Sequence, residues 1–289
     1  MAERPLAVQG AITENPAVPI QCGETIMSGE RPSYRDFRTR LAAREQLIGT
    51  FVKTPTSHAT EILGLLGFDF VVFDQEHAPL DAGGLDRMIL GARASDIAGI
   101  VRVPDAQPWM IQTVLDCGAS GVLVPHVATA ETARTIVAAC RYRRGSRGFA
   151  NTTRAGGFGG ISFAGHMDAQ DREVACVAMI EDLSALETIR DIVRVDGLDA
   201  IFVGRGDLTA ALGAPSMTSP ETMALVEPIM AAAKEVGLPV IMLCPDRADA
   251  ERVTELGASA FMVQSDHGFM RQAAAAALAD FRPPMARVR

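Results

Sequence analysis

Lysine is almost missing from this chain: of 27 basic residues only Lys53 and Lys234 are lysines. Chemistry through a lysine imine would have to use Lys53, which ends an apolar run, because Lys234 falls in a helical pattern on the outside of the fold. Nothing in the surrounding sequence supports that use, and an ion-pair or surface role is the expectation for Lys53. A basic block is also absent. With a net charge of -8, nucleic acid is excluded as an expected partner. The five cysteines, Cys22, Cys117, Cys140, Cys176 and Cys244, form no Cys-x-x-Cys pair. A zinc-thiolate centre is therefore not expected, and the odd, scattered thiols fit reduced, mostly buried side chains in a cytosol. No basic stretch followed by an apolar run opens the chain, and no apolar segment is long enough to span a bilayer, so a cytoplasmic protein without a membrane partner is expected. Walker A, strand-borne GxGxxG, HExxH and GxSxG motifs do not occur.

What is there is apolar and regularly divided. At 48% hydrophobic residues over 289 positions, the chain can bury a full core. Residues 1–33, with Pro5, Pro16, Pro19 and Pro32, show no sustained period and read as a flexible N-terminal arm. A helical start is expected near Tyr34 to Arg44. From residue 47 onward, short apolar runs alternate with amphipathic segments. The runs are 47–52, 70–74, 97–103, 121–125, 174–180, 200–203, 239–243 and 260–264, and the helical patterns 57–66, 85–95, 107–117, 129–140, 184–194, 220–236, 247–256 and 267–279. Eight strand-helix pairs in this length predict a (β/α)8 barrel as a single domain over 34–289, with a doubly wound sheet as the weaker alternative.

The second run ends in Asp74-Gln-Glu76-His77-Ala-Pro79. A buried parallel strand is apolar throughout, so ionisable groups gathered where it stops mark a site at the mouth of a barrel. Other strand ends contribute Lys53, Arg102, Glu181 and Asp207. Unpaired buried charges are costly, and this many converging from separate strands points to function. Glu181 could instead serve a helix dipole, but Ser184-Ala-Leu-Glu187 has the form of a capping box that would cap that helix without it. Asp207 follows Gly204-Arg-Gly206 and reads either as a ligand on a sharp turn or as an N-cap. Two carboxylates at adjacent strand ends suit a hard divalent ion such as Mg2+ or Mn2+. His77 beside Glu76 is a candidate general acid/base. Arg102 reads either as an anion clamp or as a structural partner of Asp74 or Glu76.

The segments Phe73-Asp-Gln-Glu-His-Ala-Pro79, Val101-Arg-Val-Pro104, Leu115-Asp-Cys-Gly-Ala-Ser-Gly-Val-Leu-Val-Pro125, Tyr142-Arg-Arg-Gly-Ser-Arg-Gly148, Met179-Ile-Glu181 and Val203-Gly-Arg-Gly-Asp-Leu208 resemble the HpcH/HpaI aldolase family. Its members are class II, metal-dependent pyruvate aldolases on a (β/α)8 barrel. The resemblance runs from about residue 45 to 280 with the motifs in the family's order.

The resemblance implies an aldolase acting on 4-hydroxy-2-oxo acids, with pyruvate as enolate donor and an aldehyde as acceptor. It implies Glu181 and Asp207 as ligands of Mg2+ or Mn2+, with Co2+ as a further candidate. Arg102 would face the enolate oxygen, the amides of Gly206 and Asp207 would take the pyruvate carboxylate, and His77 with water would move protons. Asp74 and Glu76 would orient waters and Arg102. Asp116 matches a family aspartate that pairs with the histidine, and in this layout it could do so only from a neighbouring subunit; a solvated helix-end aspartate is the other reading. A homo-oligomer, a hexamer in the family, follows too. The Ala-rich helix Gln272 to Ala279 could pack on a neighbour or on its own barrel. The chain departs from the common pattern at Met179, where many members carry Gln, and at Arg205-Gly206, where many carry Pro-Ala. A related enzyme acting on oxaloacetate or a CoA ester is the alternative, as is a barrel kept as a non-catalytic binding module. The long segment from Arg141 to Gln170 could close over an anionic substrate or form a subunit contact.

Overall fold

The computed structural model describes residues 32–282. All but the last two residues of the expected arm, Cys22 and the end of the chain from residue 283 lie outside the described residues.

Each apolar run forms a strand within a residue or two of expectation. They are β1 (Leu47–Val52), β2 (Phe70–Asp74), β3 (Ala98–Arg102), β4 (Gly121–Val124), β5 (Ala175–Ile180), β6 (Ala200–Val203), β7 (Val240–Leu243) and β8 (Ala260–Ser265). All pair in parallel in sequence order, and β8 returns to β1 through Leu47↔Ala260, Ile48↔Phe261 and Gly49↔Met262. That closure excludes the doubly wound sheet. Around the barrel lie α1 (Phe37–Ala42), α2 (Ser57–Leu66), α3 (Ala82–Ala94), α4 (Pro108–Asp116), α5 (Ala130–Cys140), α6 (Phe163–Glu173), α7 (Ala185–Ile192), α8 (Arg205–Leu212), α9 (Pro220–Val236), α10 (Arg247–Leu256) and α11 (Asp266–Phe281).

Strand side chains alternate between two faces. One set, including Val71, Phe73, Val101, Val122, Val124 and Ile180, packs under the helices. The other fills the barrel: Phe51, Phe70, Val72, Ile100, Leu123, Val177, Met179 and Phe202. Phe37 and Leu41 of α1 join this inner cluster from below, with the Phe37 and Phe70 rings 5.3 Å apart. Following the same alternation one step past each inner residue leads from Phe51 to Lys53, Val72 to Asp74, Ile100 to Arg102, Met179 to Glu181 and Phe202 to Gly204. The topmost inward layer is therefore polar, and it is the floor of the site.

Several local expectations need correction. Ser184 has helical backbone angles and its side chain makes no capping bond, so the expected capping box does not form. The segment from Arg141 to Gln170 connects α5 to β5 and so lies at the N-terminal end of the barrel, opposite the strand ends that carry Asp74 and Arg102. Within one protomer it cannot act as a lid. It also contains α6, started by a Ser162 side chain that accepts from the Gly165 amide. Of α11, residues 270–281 are exposed, so the Ala-rich stretch does not pack on its own barrel.

Candidate active site

Asp74 and Arg102 face each other across the β2–β3 ladder as register partners. Arg102 donates twice to the Asp74 carboxylate, Nε to Oδ1 at 3.0 Å and Nη2 to Oδ2 at 2.8 Å. Lys53 Nζ lies 3.0 Å from the same Oδ2, and the His77 amide donates to Oδ1 at 3.1 Å. Burial alone would raise the pKa of Asp74, but Arg102, the His77 amide and Lys53 outweigh it and hold the carboxyl down at about 2. The structural reading of Arg102 is thus met: its plane is fixed. Its remaining arm, Nη1, lies 3.1 Å from Glu76 Oε2 without hydrogen-bond geometry. Lys53 and Arg102 thus set two cations around Asp74, with Glu76 as a second carboxylate at the free arm of Arg102.

Acids dominate the opposite side. Glu181 follows β5 directly, is 3% exposed, and accepts from the His126 amide at 2.9 Å. Gly204 makes room for it: a Cβ there would stand 2.6 Å from Glu181 Cβ and 2.9 Å from Met179 Cε. Burial drives the Glu181 pKa up to about 7, the charges of Asp207 and Glu76 push the same way, and His126 opposes them. Asp207 is exposed in the first turn of α8, beside Gly206. A cavity of about 340 Å³ opens over Lys53, His77, Arg102, Gly206 and Asp207.

His126, just past β4, is a site residue that the sequence reading missed. Its φ of 55° is unusual for a residue other than glycine and turns both its amide and its ring toward Glu181. Nδ1 lies 3.5 Å from Glu181 Oε1 and 3.2 Å from Asp182 Oδ2, and Nε2 lies 3.7 Å from Glu76 Oε1. Burial opposes the imidazolium, but Glu181, Asp182 and Glu76 together raise its pKa. Glu76, His126 and Glu181 each offer a ligand atom within 4.8 Å of the others. His77 is exposed, with Nε2 3.7 Å from Glu76 Oε2. The structure thus brings Asp74, Glu76, His77, Arg102, Glu181, Gly206 and Asp207 to one mouth. Asp116 is elsewhere, at the end of α4 at the far end of the barrel, where Arg147 donates to it at 2.9 Å.

A carboxyl pushed to near-neutral pKa first by burial and then by two more carboxylates is a place where added positive charge is favourable, and this oxygen and imidazole donor set suits a divalent cation. The HpcH/HpaI aldolase/citrate lyase family model matches residues 47–273. The chain belongs to this family. A 5-keto-4-deoxy-D-glucarate aldolase from Klebsiella pneumoniae subsp. pneumoniae is 37% identical over 239 residues, 82% of this chain and 93% of that protein. A solved HpcH/HpaI family protein from Burkholderia cenocepacia J2315 superposes with TM-score 0.80 at 28% identity, covering 86% of this chain and 100% of the other. The citrate synthase SbnG superposes with TM-score 0.76 at 30% identity, covering 84% and 96%. As an HpcH/HpaI member the chain is an enzyme, a carbon-carbon lyase of the aldolase class, from a family of divalent-metal-dependent aldolases. Among the described residues, no helix is long and apolar enough to cross a membrane.

Proposed function

We propose that this enzyme interconverts a 4-hydroxy-2-oxo acid with pyruvate and an aldehyde, using a divalent ion held by Glu181 and Asp207 with Glu76 and His126 beside it. The observation that carries the reading is the split floor of the mouth: a fixed guanidinium and an ammonium on one side, clustered carboxylates around Glu181 on the other. Mg2+ or Mn2+ is the proposed metal, with Co2+ able to substitute, and it supplies Lewis acidity at the oxygens of a bound 2-oxo acid.

The side chains do the rest. Arg102, held by Asp74, presents fixed positive charge where an enolate oxygen develops, which avoids reorganisation during the reaction. The amides of Gly206 and Asp207, in the first turn of α8, have no intrahelical partner and receive the substrate carboxylate. His77, exposed at the cavity, exchanges protons through water with the 4-hydroxyl in cleavage and with the aldehyde oxygen in condensation. Asp74 and Glu76 act by positioning Arg102 and the ordered water. Asp116 contributes from a neighbouring subunit. Relatives named for 5-keto-4-deoxy-D-glucarate support a sugar-acid-derived substrate.

The test is the exchange of pyruvate methyl protons in deuterated water, followed by proton NMR. Exchange is expected with Mn2+ or Mg2+ and is abolished by EDTA and by E181Q; no metal-dependent exchange rejects the reading. A second reading, condensation or cleavage involving oxaloacetate or a CoA ester, is favoured by the likeness to SbnG and by Met179 and Arg205 lining the same cavity. It predicts turnover of those substrates in place of pyruvate exchange. We further infer a cytoplasmic homo-oligomer, a hexamer, assembled partly through the exposed face of α11, which carries Met270, Leu278 and Phe281.

A further inference from the structure

The N-terminal end of the barrel, far from the mouth, holds a second polar hollow that the proposed reaction does not use. It encloses about 100 Å³ between the start of the described chain, the end of α3, the turn into β4, and the segment leading through α6. Arg35, Arg93 and Arg154 line it, against one acid, Glu173. Glu173 is already engaged by Arg172 at 2.8 Å. Arg154 is likewise engaged, donating to both carboxylate oxygens and the carbonyl of Asp86 and to the Cys117 carbonyl.

Arg93 is different. No carboxylate among the described residues pairs with it; its described side-chain interaction is with the Tyr34 ring, whose centroid lies 5.7 Å from its Cζ. Its placement in the last turn of α3 complements the helix dipole, and among the described residues its N–H donors have no hydrogen-bond acceptor. Gly118 beside it has φ +93°, a conformation that favours glycine, and without a Cβ there Arg93 Nη1 lies close against the turn; an added Cβ would stand 2.5 Å from it and displace the guanidinium. Ser120 and Gln170 add donors to the same wall; the Gln170 carbonyl oxygen already accepts from Arg147, which leaves its amide nitrogen.

We propose that this hollow binds a small oxyanion, a carboxylate or phosphate group, with the Arg93 guanidinium as its principal contact and Ser120 and Gln170 as further donors. Guanidinium donors matched to a planar or tetrahedral oxyanion, in a partly enclosed space, are the arrangement such groups select. The site is separate from the metal-binding mouth, and its ligand touches the turn that feeds β4, the strand that leads to Pro125 and His126.

Isothermal titration calorimetry of the full, EDTA-treated chain with inorganic phosphate, and separately with malonate, tests this. Saturable binding is expected, weakened about tenfold or more in R93Q and less strongly in S120A, as loss of charge-assisted against neutral donors predicts. Tighter phosphate identifies a phosphorylated ligand and tighter malonate a carboxylate; either supports the site. Absence of saturable binding to the unsubstituted chain overturns it. So does binding of unchanged affinity in R93Q, or in S120A should R93Q not fold, because the anion would then sit elsewhere.

Discussion

Below about pH 7 and without metal, Glu181 keeps a proton that an ordinary glutamate would have lost. Its pKa near 7 arises first from burial and then from Asp207 and Glu76, against a usual value of 4.5. Between those values the metal-free folded protein carries a proton that the unfolded chain releases, so this group's contribution to stability declines as pH rises from below 4.5 through about 7. A metal ion must displace the same proton. Mn2+ affinity, measured by electron paramagnetic resonance, is therefore expected to fall by up to about tenfold per pH unit below 7 and to level off above it. A flat profile would contradict the assignment. Asp74 has the opposite sign: held at about 2, it stabilises the fold above its usual 3.8 and loses that effect as pH falls toward 2. In D74N both Arg102 and Lys53 lose their shared carboxylate. Breaking a buried pair costs about 3–5 kcal/mol, and with the guanidinium unfixed, a drop of roughly a hundredfold in kcat is expected in steady-state assays. Gly204→Ala pushes a methyl against Glu181, so weaker metal binding with about 1–3 kcal/mol of destabilisation is the expected outcome, read by titration and denaturant melts. The strand-end charges were legible because an ionisable residue ending an apolar run is conspicuous. His126 was not. It follows Pro125 outside the strand, and the left-handed backbone that swings it to Glu181 is not encoded in the residue type, since positive φ is uncommon for any residue other than glycine.

Among the elements, α8 is the one whose attachment is unusual. Arg205, its first residue, is 2% exposed and donates to both carboxylate oxygens of Asp249 on α10 and to the Leu243 carbonyl, tying the first turn of α8, which carries Gly206 and Asp207, to β7 and α10. R205M strands a buried carboxylate and should destabilise the protein by about 3–5 kcal/mol in chemical denaturation, while R205M/D249L recovers much of that loss. Equal losses in the single and double variants would show that packing of the long side chain, and not charge pairing, holds α8. The eight strands were readable because burial on both faces leaves one continuous apolar signal. α6 was not: its sequence, FAGHMDAQDRE, buries only His166 and so offers no apolar stripe to read. The Ser184 box failed for a different reason, since Ser184 is already inside the helical turn and its hydroxyl cannot reach back to cap it.

At the scale of the whole molecule, the two ends of the barrel divide the work, and one aspartate crosses the division. Asp116 lies at the end opposite His77, paired with an Arg147 whose side chain is fully buried. Any part it takes in proton transfer must therefore come from another copy of the chain. The same chain leaves residues 270–281 of α11 exposed, with Phe281 at 76%, and a groove of about 530 Å³ lined by Ile48, Phe261 and Phe269 stands open beside β1 and β8. Apolar surface of this kind on a helix that does not rejoin its own barrel is stabilised by burial against a partner. Light scattering should accordingly give an oligomer, and L278E/F281E should lower its mass. Complementation then joins assembly to chemistry. D116N and E181Q should each be inactive or nearly so in pyruvate exchange, but oligomers re-formed from a mixture contain mouths with an intact Glu181 facing an intact Asp116 from the neighbour. A measurable fraction of activity is expected to return on mixing, and none in L278E/F281E backgrounds. If mixing restores nothing while subunits demonstrably exchange, Asp116 acts only through Arg147 within its own protomer, as a brace for the segment beneath the barrel.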